Sequence, residues 1–390
     1  MRIERLRVTN YRVLRDVTFT DLTPLTVLCG PNGSGKSTVF DVFAFLNEAF
    51  TQGLRPAWDE RNRMDGIRSR GSAGPVTFEI AYRGTDANGQ DRLATYELHL
   101  DQQGSRPVVA SERLQWSTAA QPGRPRDIIA FAHGSGQVYD EVSGGYAVED
   151  LSAPDLLAVS ALGQFRSHPR VQLLREFIQG WYLSYITAES TRSNRNAGPE
   201  PHLSPTGDNL ANVIQFLAEE YPELLSTIFE KLRARVPQLE SVLPVHVDDG
   251  RLLLLLKDRS FVEPVISRFA SDGTLKLLAY LVVLHDPDPY VVVGIEEPEN
   301  QLHPRLLPIL ADEIREATER AQLFVTTHSP EFLTDVRPKE LWSINRGDDG
   351  YARVQRASDN DLVMSMMAAG ATLGDLWSEG YLKGADPDGL

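Results

Sequence analysis

One short segment near the start of the chain restricts its fold more than any other. Residues 30–37 read Gly-Pro-Asn-Gly-Ser-Gly-Lys-Ser and match the pattern G-x-x-x-x-G-K-[ST]. The apolar run Leu25–Cys29 precedes this segment, and apolar residues at helical spacing follow it from Lys36. This strand–loop–helix order is the setting in which such a loop cradles a chain of phosphates. The sequence therefore predicts an α/β fold with a phosphate-binding loop, or P-loop, after a buried strand.

The chemistry of the P-loop assigns roles to its residues. Glycines let several backbone N–H groups point at one phosphate chain, and the helix that follows adds the positive end of its dipole. Lys36 can reach the β- and γ-phosphates, the Ser37 hydroxyl can bind Mg²⁺, and Thr38 serves the α-phosphate. The alternative is a glycine-rich turn that only resembles the motif, and the flanking strand and helix argue against it. The predicted nucleotide-binding residues of the loop are Gly30, Pro31, Asn32, Gly33, Ser34, Gly35, Lys36, Ser37 and Thr38.

Two adjacent glutamates follow a second apolar run. Residues 290–295 lead directly into Glu296 and Glu297. A buried strand that ends in carboxylates is how P-loop enzymes hold magnesium and activate water. Because strand alternation points neighbouring side chains to opposite sides, we expect Glu296 to face the metal ion. Glu297 should face the γ-phosphate and act as the general base or as the residue that orients the attacking water. An exposed acidic strand end is the alternative, which the P-loop in the same chain makes less favourable.

A histidine follows a third apolar run, residues 323–327. His328 at such a strand end can donate a hydrogen bond to the γ-phosphate or hold the attacking water together with Glu297. A lone histidine is more often structural, but its place after the acidic strand favours a catalytic role. The predicted catalytic residues are Glu297, His328 and Lys36.

The order of these motifs resembles the ATP-binding cassette class of ATPases. Within that class the chain is similar to the RecF and structural-maintenance-of-chromosomes (SMC) branch, and more narrowly to compact bacterial AAA-type ATPases. The segments typical of that branch are Ile3–Leu14, Glu296–Pro304 and Thr372–Gly380. The resemblance implies a P-loop head with a mixed sheet. Alternating apolar residues in 76–82, 95–100 and 108–116 predict an antiparallel β subdomain, and the patterns of 153–183, 209–217 and 223–235 predict a helical lobe. Residues 75–205 match poorly and carry little family information.

The resemblance also implies further site residues. The family signature, typically LSGGQ, corresponds to Ser-Asp-Gly-Thr from Ser271. Ser271 and the Gly273 backbone would meet the γ-phosphate bound to a second subunit, or Ser271 is only an ordinary helix cap. Gln164 is a candidate for the glutamine that senses magnesium, and Arg12 for a residue near the nucleotide. The segment Glu299–His303 matches the one that crosses the dimer interface in the family.

The motifs divide the chain into five expected segments. These are 1–50 with the N-terminal strands, the P-loop and the first helix; 51–150 with an inserted, exposed loop and a β subdomain; 151–260 with a helical lobe; 261–345 with the signature, the acidic strand and the histidine loop; and 346–390, an acidic tail. Only 235 residues separate Lys36 from Ser271, without sustained heptads, so no long coiled-coil arm is expected. The 62 residues after His328 are too few for the nuclease domain of a related family.

Composition restricts the partners and the location. The net charge of −15 argues against indiscriminate binding to nucleic acid. A single cysteine, no run of 18 apolar residues and no signal-peptide core predict a cytoplasmic protein that does not contact a membrane. Two arginine-rich segments, 55–70 and 166–195, have local charges of +2 and +3. They leave open whether the arginines meet DNA phosphates or are solvated loop residues.

Three functions are compatible with these features. The favoured one is ATP hydrolysis, with ATP and Mg²⁺ bound, by a head that forms an ATP-dependent homodimer. Such a head would act as a switch for DNA or for a separate effector protein, in DNA repair or phage defence. The second is a nucleotide sensor without turnover, against which Glu297 argues. The third is a transporter cassette, against which the RecF-like start, the segment after Glu296 and the tail argue.

Overall fold

The computed structural model describes residues 1–382 apart from 86–88, 90, 119–120, 142, 194 and 249. The last eight residues of the predicted acidic tail therefore lie outside the described part. The strands, numbered along the chain, are β1 (Arg2–Tyr11), β2 (Leu14–Phe19), β3 (Leu25–Cys29), β4 (Val76–Thr85), β5 (Asp91–Gln103), β6 (Arg106–Thr118), β7 (Gln121–Ala132), β8 (Ser135–Tyr139), β9 (Tyr146–Asp150), β10 (Trp181–Ser184), β11 (Leu239–His246), β12 (Leu252–Asp258), β13 (Val265–Ile266), β14 (Val292–Glu296), β15 (Gln322–Thr327), β16 (Leu341–Arg346) and β17 (Ala352–Arg356).

The helices are numbered in the same way. They are α1 (Lys36–Thr51), α2 (Leu54–Glu60), α3 (Arg63–Ile67), α4 (Ala158–Leu162), α5 (Pro169–Gln179), α6 (Leu210–Glu220), α7 (Pro222–Arg235), α8 (Asp272–Leu284), α9 (Leu307–Ala317), α10 (Pro330–Leu333), α11 (Asp361–Ala368) and α12 (Leu373–Ser378). Among the described residues, no helix combines the length and the apolar character that crossing a membrane requires.

The chain forms two compact units. Unit 1 comprises residues 1–181, 337–371 and 376–390, and unit 2 comprises residues 182–336 and 372–375. Unit 1 contains the P-loop. Unit 2 contains the acidic strand, the histidine after β15 and the predicted signature.

An antiparallel sheet of eight strands dominates unit 1, in the order β2-β1-β4-β5-β6-β7-β8-β9. Alternating apolar residues explain it, because a period of two buries one face of each strand. In β5, Ala94, Tyr96, Leu98 and Leu100 are all buried. The sheet joins the N-terminal strands to the inserted ones, since β1 pairs with β4.

The P-loop of unit 1 lies between β3 and α1. Every residue of β3 is buried, and β3 pairs in parallel with β16. The helix predicted from Lys36 is α1, whose stripe of Val39, Val42, Phe43 and Leu46 is buried as expected. The P-loop thus begins after a buried strand and ends in a packed helix.

The segment between α1 and β4 is not the exposed loop that the sequence predicts. It forms α2 and α3, and Trp58 in α2 is completely buried. Arg61 follows α2 and is itself only 9% exposed, because it pairs with Asp41 and Glu48 on α1. Arginine content suggested solvent exposure, but carboxylates 13 and 20 residues earlier neutralise this charge in the interior.

Unit 2 contains neighbouring strands in the order β10-β14-β15. β14 and β15 are parallel, with Glu296 opposite Thr326 in the register. Helix α8 precedes β14, and all ten of its residues from Leu275 to Leu284 are buried. A second, antiparallel sheet holds β11, β12 and β13. Strands and helices alternate from β13 to β15, and the parallel pair β14 and β15 places the ends of two strands side by side.

Candidate functional site

The P-loop has a backbone that requires glycine. Gly33 and Gly35 have φ angles of +76° and +118°, which other residues rarely adopt. A Cβ atom at Gly30 would lie 2.2 Å from the carbonyl oxygen of Ile344, so a larger residue has no room there. At Gly33 no described atom lies within 4 Å of such a Cβ, so this side of the loop is open. The loop is therefore a tight backbone curl with an accessible face, as a phosphate cradle needs.

Two polar side chains of the P-loop fit an anionic ligand. Lys36 is 4% exposed, and its Nζ donates to the carbonyl oxygens of Gly30 at 2.7 Å and Pro31 at 3.3 Å. The Ser34 hydroxyl is buried without a hydrogen-bond partner among the described residues. A buried hydroxyl without a partner costs free energy that a phosphate oxygen can recover. Ser37 is exposed in the first turn of α1, where its hydroxyl is accessible.

A cavity of about 770 Å³ lies in unit 1, and the residues that line it do not include the P-loop. Its lining residue Val13 is close to the loop, since a Cβ at Gly35 would lie 3.0 Å from the Val13 Cγ2. The polar residues that line the cavity are Arg12, Asn62, Asp65, Arg68, Arg70, Arg346, Asp349 and Tyr351. Four arginines and two aspartates line it, and two of the arginines, Arg12 and Arg68, are paired with Asp41 and Asp101. Of these eight residues, sequence reasoning connected only Arg12 with a nucleotide.

Arg12 is fixed in place by its surroundings. Its φ angle is +49°, its backbone N–H donates to the Ile67 carbonyl at 2.7 Å, and its guanidinium lies 2.9 Å from Asp41 on α1. The Tyr11 hydroxyl also bonds to Asp41. Burial raises the pKa of Tyr11 well above its usual value, so this phenol stays a donor. Asp41 therefore ties the helix of the P-loop to the wall of the cavity.

The acidic strand of unit 2 ends one residue earlier than the sequence predicts. Glu296 is the last residue of β14, and Glu297 has a φ angle of +44°. The Glu297 N–H donates to the Thr326 carbonyl at 3.0 Å, which holds this left-handed turn in place. Strand alternation was expected to point the side chains of Glu296 and Glu297 to opposite sides. It does not apply, because Glu297 lies outside the strand. The turn sets the direction of Glu297.

Glu297 and His328 lie close together in unit 2. The Nδ1 atom of His328 is 3.8 Å from Glu297 and 3.2 Å from Glu299. Asn300 donates to the other oxygen of Glu297 at 3.0 Å. A histidine beside the predicted base can hold a water or donate to a phosphate, which is the chemistry expected of these two residues.

Glu299 is the member of this cluster that sequence reasoning missed. Its side chain is 8% exposed and accepts from the His328 N–H at 2.7 Å and from the Thr327 hydroxyl at 2.8 Å. Its second oxygen is buried without a hydrogen-bond partner among the described residues. The signal in the sequence was the second glutamate of Glu297-Pro298-Glu299. The family resemblance assigned Glu299 only to the segment that crosses the dimer interface. Glu299 fixes the backbone from which His328 projects.

The predicted signature lies at the start of α8. Ser271 is the N-cap residue, and its hydroxyl oxygen accepts from the Thr274 N–H at 3.2 Å. A Cβ at Gly273 would lie 3.0 Å from the Gln301 carbonyl oxygen. Ser271 thus caps the helix, as the alternative interpretation held, and a cap of this kind also leaves N–H groups at the helix start for an anion.

Gln164 is placed on the surface. It follows α4 in unit 1, and its side chain donates to the Ser160 carbonyl at 3.1 Å. None of the hydrogen bonds among the described residues joins it to the P-loop. Its assignment to magnesium stays a prediction.

The two arginine-rich segments are largely neutralised. Six of their ten arginines pair with carboxylates within their own unit, in the pairs Arg61–Asp41, Arg63–Asp59, Arg68–Asp101, Arg170–Glu141, Arg192–Asp272 and Arg195–Asp208. A paired guanidinium gains less from a DNA phosphate, because it must give up its carboxylate first. These pairs favour the interpretation in which the segments do not contact DNA.

Comparison with solved structures identifies the class. The chain is similar to an SMC head bound to the C-winged helix domain of ScpA, with a TM-score of 0.56 and 14% identity over 91% of this chain and 98% of the other. It is also similar to an SMC head with an extended coiled coil, bound to the C-terminal domain of ScpA derived from Pyrococcus furiosus. Here the TM-score is 0.51 with 12% identity over 94% and 99% of the two chains. At such identities the likeness concerns the fold alone. No curated protein is significantly similar to the sequence.

The chain therefore has the ATP-binding-cassette type of P-loop fold found in SMC heads, which confirms the predicted fold class. Residues 25–334 match the family described as "AAA domain, putative AbiEii toxin, Type IV TA system", and the chain belongs to this family. Family and fold indicate an ATPase that binds nucleotide, typically with Mg²⁺.

Proposed function

We propose that this chain hydrolyses ATP, that two copies close around two ATP molecules, and that closure acts as a switch for an effector protein. The observation that carries the proposal is the position of Glu297 beside His328 at the ends of two parallel strands. A protein that only sensed nucleotide would not need a carboxylate and a histidine side by side at these strand ends.

The residues of the chain divide the work as follows. The P-loop backbone and Lys36 bind the phosphates, and the cavity lined by Arg12 receives the rest of the nucleotide. Glu297 accepts the proton of the attacking water, and His328 orients that water or the γ-phosphate. Ser37 would be a ligand of Mg²⁺, which neutralises phosphate charge when bound. Glu296 stays a predicted metal ligand at the end of β14. Ser271 and Gly273 would meet the γ-phosphate on the second copy.

A protein is the partner that we favour. The two SMC heads of similar fold are bound to domains of ScpA. The arginines that could have met DNA are mostly paired with carboxylates, and the net charge is −15. The family description refers to a toxin–antitoxin system, which favours defence over DNA repair as the setting.

Steady-state hydrolysis tests the proposal. The wild-type chain should release phosphate from ATP in the presence of magnesium. Glu297→Gln keeps the shape of the side chain but removes the base, so it should still bind ATP while its rate falls by about 10²–10⁴. Glu240→Gln, an exposed change in β11, is the matched control. A wild-type chain without turnover, or a Glu297→Gln variant with the full rate, would refute the assignment.

A further inference from the structure

Lys276 is the one charged residue among the ten buried residues of α8 from Leu275 to Leu284. It is 3% exposed, and its ammonium donates to the Asn300 carbonyl oxygen at 2.7 Å. The ammonium also lies 5.6 Å from the centre of the Tyr280 ring. Burying a cation costs free energy unless the surroundings repay it. An apolar residue at this helix position would avoid the free-energy cost of burying a charge. The presence of a lysine therefore needs an explanation.

The ammonium faces the loop that follows β14. Two residues of this loop, Glu297 and Gln301, have φ angles of +44° and +69°, which are unfavourable for side chains other than glycine. The loop passes close to the first turn of α8, where the Gln301 carbonyl lies 3.0 Å from a Cβ built on Gly273. Lys276 holds the same loop one helical turn further along, through Asn300. Two successive contacts thus fasten a strained loop to the start of the predicted signature helix.

We propose that Lys276 is a positioning residue for ATP hydrolysis: its ammonium holds the loop Glu297–His303 against the start of α8 and so sets the place of Glu297. The inference rests on the proposed function, because it assumes that Glu297 is the base. It makes the predicted signature and the predicted base two ends of one connection, Ser271–Lys276–Asn300–Glu297. A phosphate that binds at Ser271 then acts on the base through the start of α8 and two hydrogen bonds, from Lys276 to Asn300 and from Asn300 to Glu297.

Charge strengthens this connection. Glu299 and Glu297 attract the ammonium and raise its pKa, while burial, the larger effect, lowers the pKa of Lys276 to about 8. The groups that surround it are these two glutamates, His328 behind Glu299, and the Tyr280 phenol, whose pKa burial raises. Lys276 is therefore charged at neutral pH and loses its proton above about pH 8. The hydrogen bond to Asn300 weakens once that proton leaves.

Three variants test the inference. Lys276→Met removes the charge, Lys276→Arg keeps it at all accessible pH values, and Lys257→Met removes an exposed lysine of β12 as a control. We expect Lys276→Met to lower kcat by about 10- to 100-fold, the scale of a small misplacement of a catalytic group. Its affinity for ATP should stay within about twofold of the wild type. Lys276→Arg should recover most of the rate, and Lys257→Met should match the wild type.

The pH profile separates positioning from simple packing. The wild-type kcat should fall as pH rises through about 8, whereas the kcat of Lys276→Arg should not fall there. This comparison does not need Lys276→Met to fold. Equal profiles for the wild type and Lys276→Arg, or a Lys276→Met variant with the wild-type kcat, would overturn the inference. A wild-type chain without turnover would overturn the proposed function instead, and a rate that depends on Glu297 but not on Lys276 would overturn the inference alone.

Discussion

The P-loop of unit 1 and the acidic cluster of unit 2 are built in different ways. The P-loop owes its shape to backbone requirements at Gly30, Gly33 and Gly35, which no other residue meets without strain. The acidic cluster owes its shape to buried side chains, since Glu299 fixes His328 and a left-handed turn directs Glu297. A site made of backbone can be recognised from a short motif. A site made of side-chain contacts needs the folded chain.

The first way to test this difference is to remove the side chain of Lys36, whose ammonium is predicted to bind the phosphates. Lys36→Ala should weaken ATP binding by at least about 100-fold, because an ammonium bonded to phosphate oxygens is worth several kcal/mol. Equilibrium binding of labelled ATP measures the loss. The melting temperature should change little, because the loop keeps its glycines. An unchanged affinity for ATP would contradict the P-loop assignment.

The second test concerns the predicted signature. In the Glu297→Gln background, ATP and magnesium should convert the chain into a dimer in sedimentation experiments, since the ligand links the two copies. Ser271→Arg should abolish this conversion while leaving ATP binding nearly intact. Ser271→Thr keeps the cap and serves as the control. A dimer that ignores both nucleotide and Ser271→Arg would show that Ser271 is only a helix cap.

The third test concerns Glu299. This buried carboxylate organises the acidic cluster, whereas the shape of the P-loop depends on its glycines. Glu299→Gln keeps one acceptor but loses the negative charge beside His328. We expect kcat to fall by about 10-fold with an unchanged affinity for ATP. Rapid-quench measurement of a single turnover locates the loss in the chemical step. If only ATP affinity fell, Glu299 would act in binding and not in positioning.

The smallest effect on ATP hydrolysis is expected from a buried carboxylate outside the P-loop and the acidic cluster. Glu112 in β6 accepts from the Val159 N–H and from the Tyr96 hydroxyl, each at 3.0 Å. Burial raises the pKa of Glu112 from 4.5 to about 7. The folded state then binds the proton more tightly than the unfolded state, so the contribution to stability is present below pH 4.5 and is lost as pH rises to about 7.

Denaturant titrations at several pH values measure this contribution. The difference in unfolding free energy between the wild type and Glu112→Gln should fall by about 3 kcal/mol from pH 4.5 to pH 7. Glu149→Gln on the exposed part of β9 should show no such slope. ATP hydrolysis should be the same in all three proteins, because this carboxylate has no part in either region of the site.

The periodicity of apolar residues in the sequence was sufficient to predict the helices and strands that bury one apolar face. The helix after the P-loop and the alternating strands of the eight-stranded sheet follow from it. It failed between residues 51 and 74, where the partners of Arg61 lie on an earlier helix and local composition gives no sign of them. It also gave no sign of the turn at Glu297, because a positive φ in a non-glycine residue depends on the surrounding fold. The residue types of the site could be predicted, but the way Glu299 organises them could not.

The contacts of Asp41 affect how well unit 1 tolerates amino-acid substitutions. Asp41 lies five residues after Lys36 and binds Tyr11, Arg12 and Arg61, so one carboxylate serves three donors from two segments of the chain. Losing Arg12 removes one of these contacts, whereas losing Asp41 removes all three and leaves Glu48 as the remaining carboxylate partner of Arg61. Random substitution should therefore be less damaging at Arg12 than at Asp41. In a deep mutational scan scored by abundance, position 41 should stand out as a point of failure, although no atom of Asp41 belongs to the motif that marks the site.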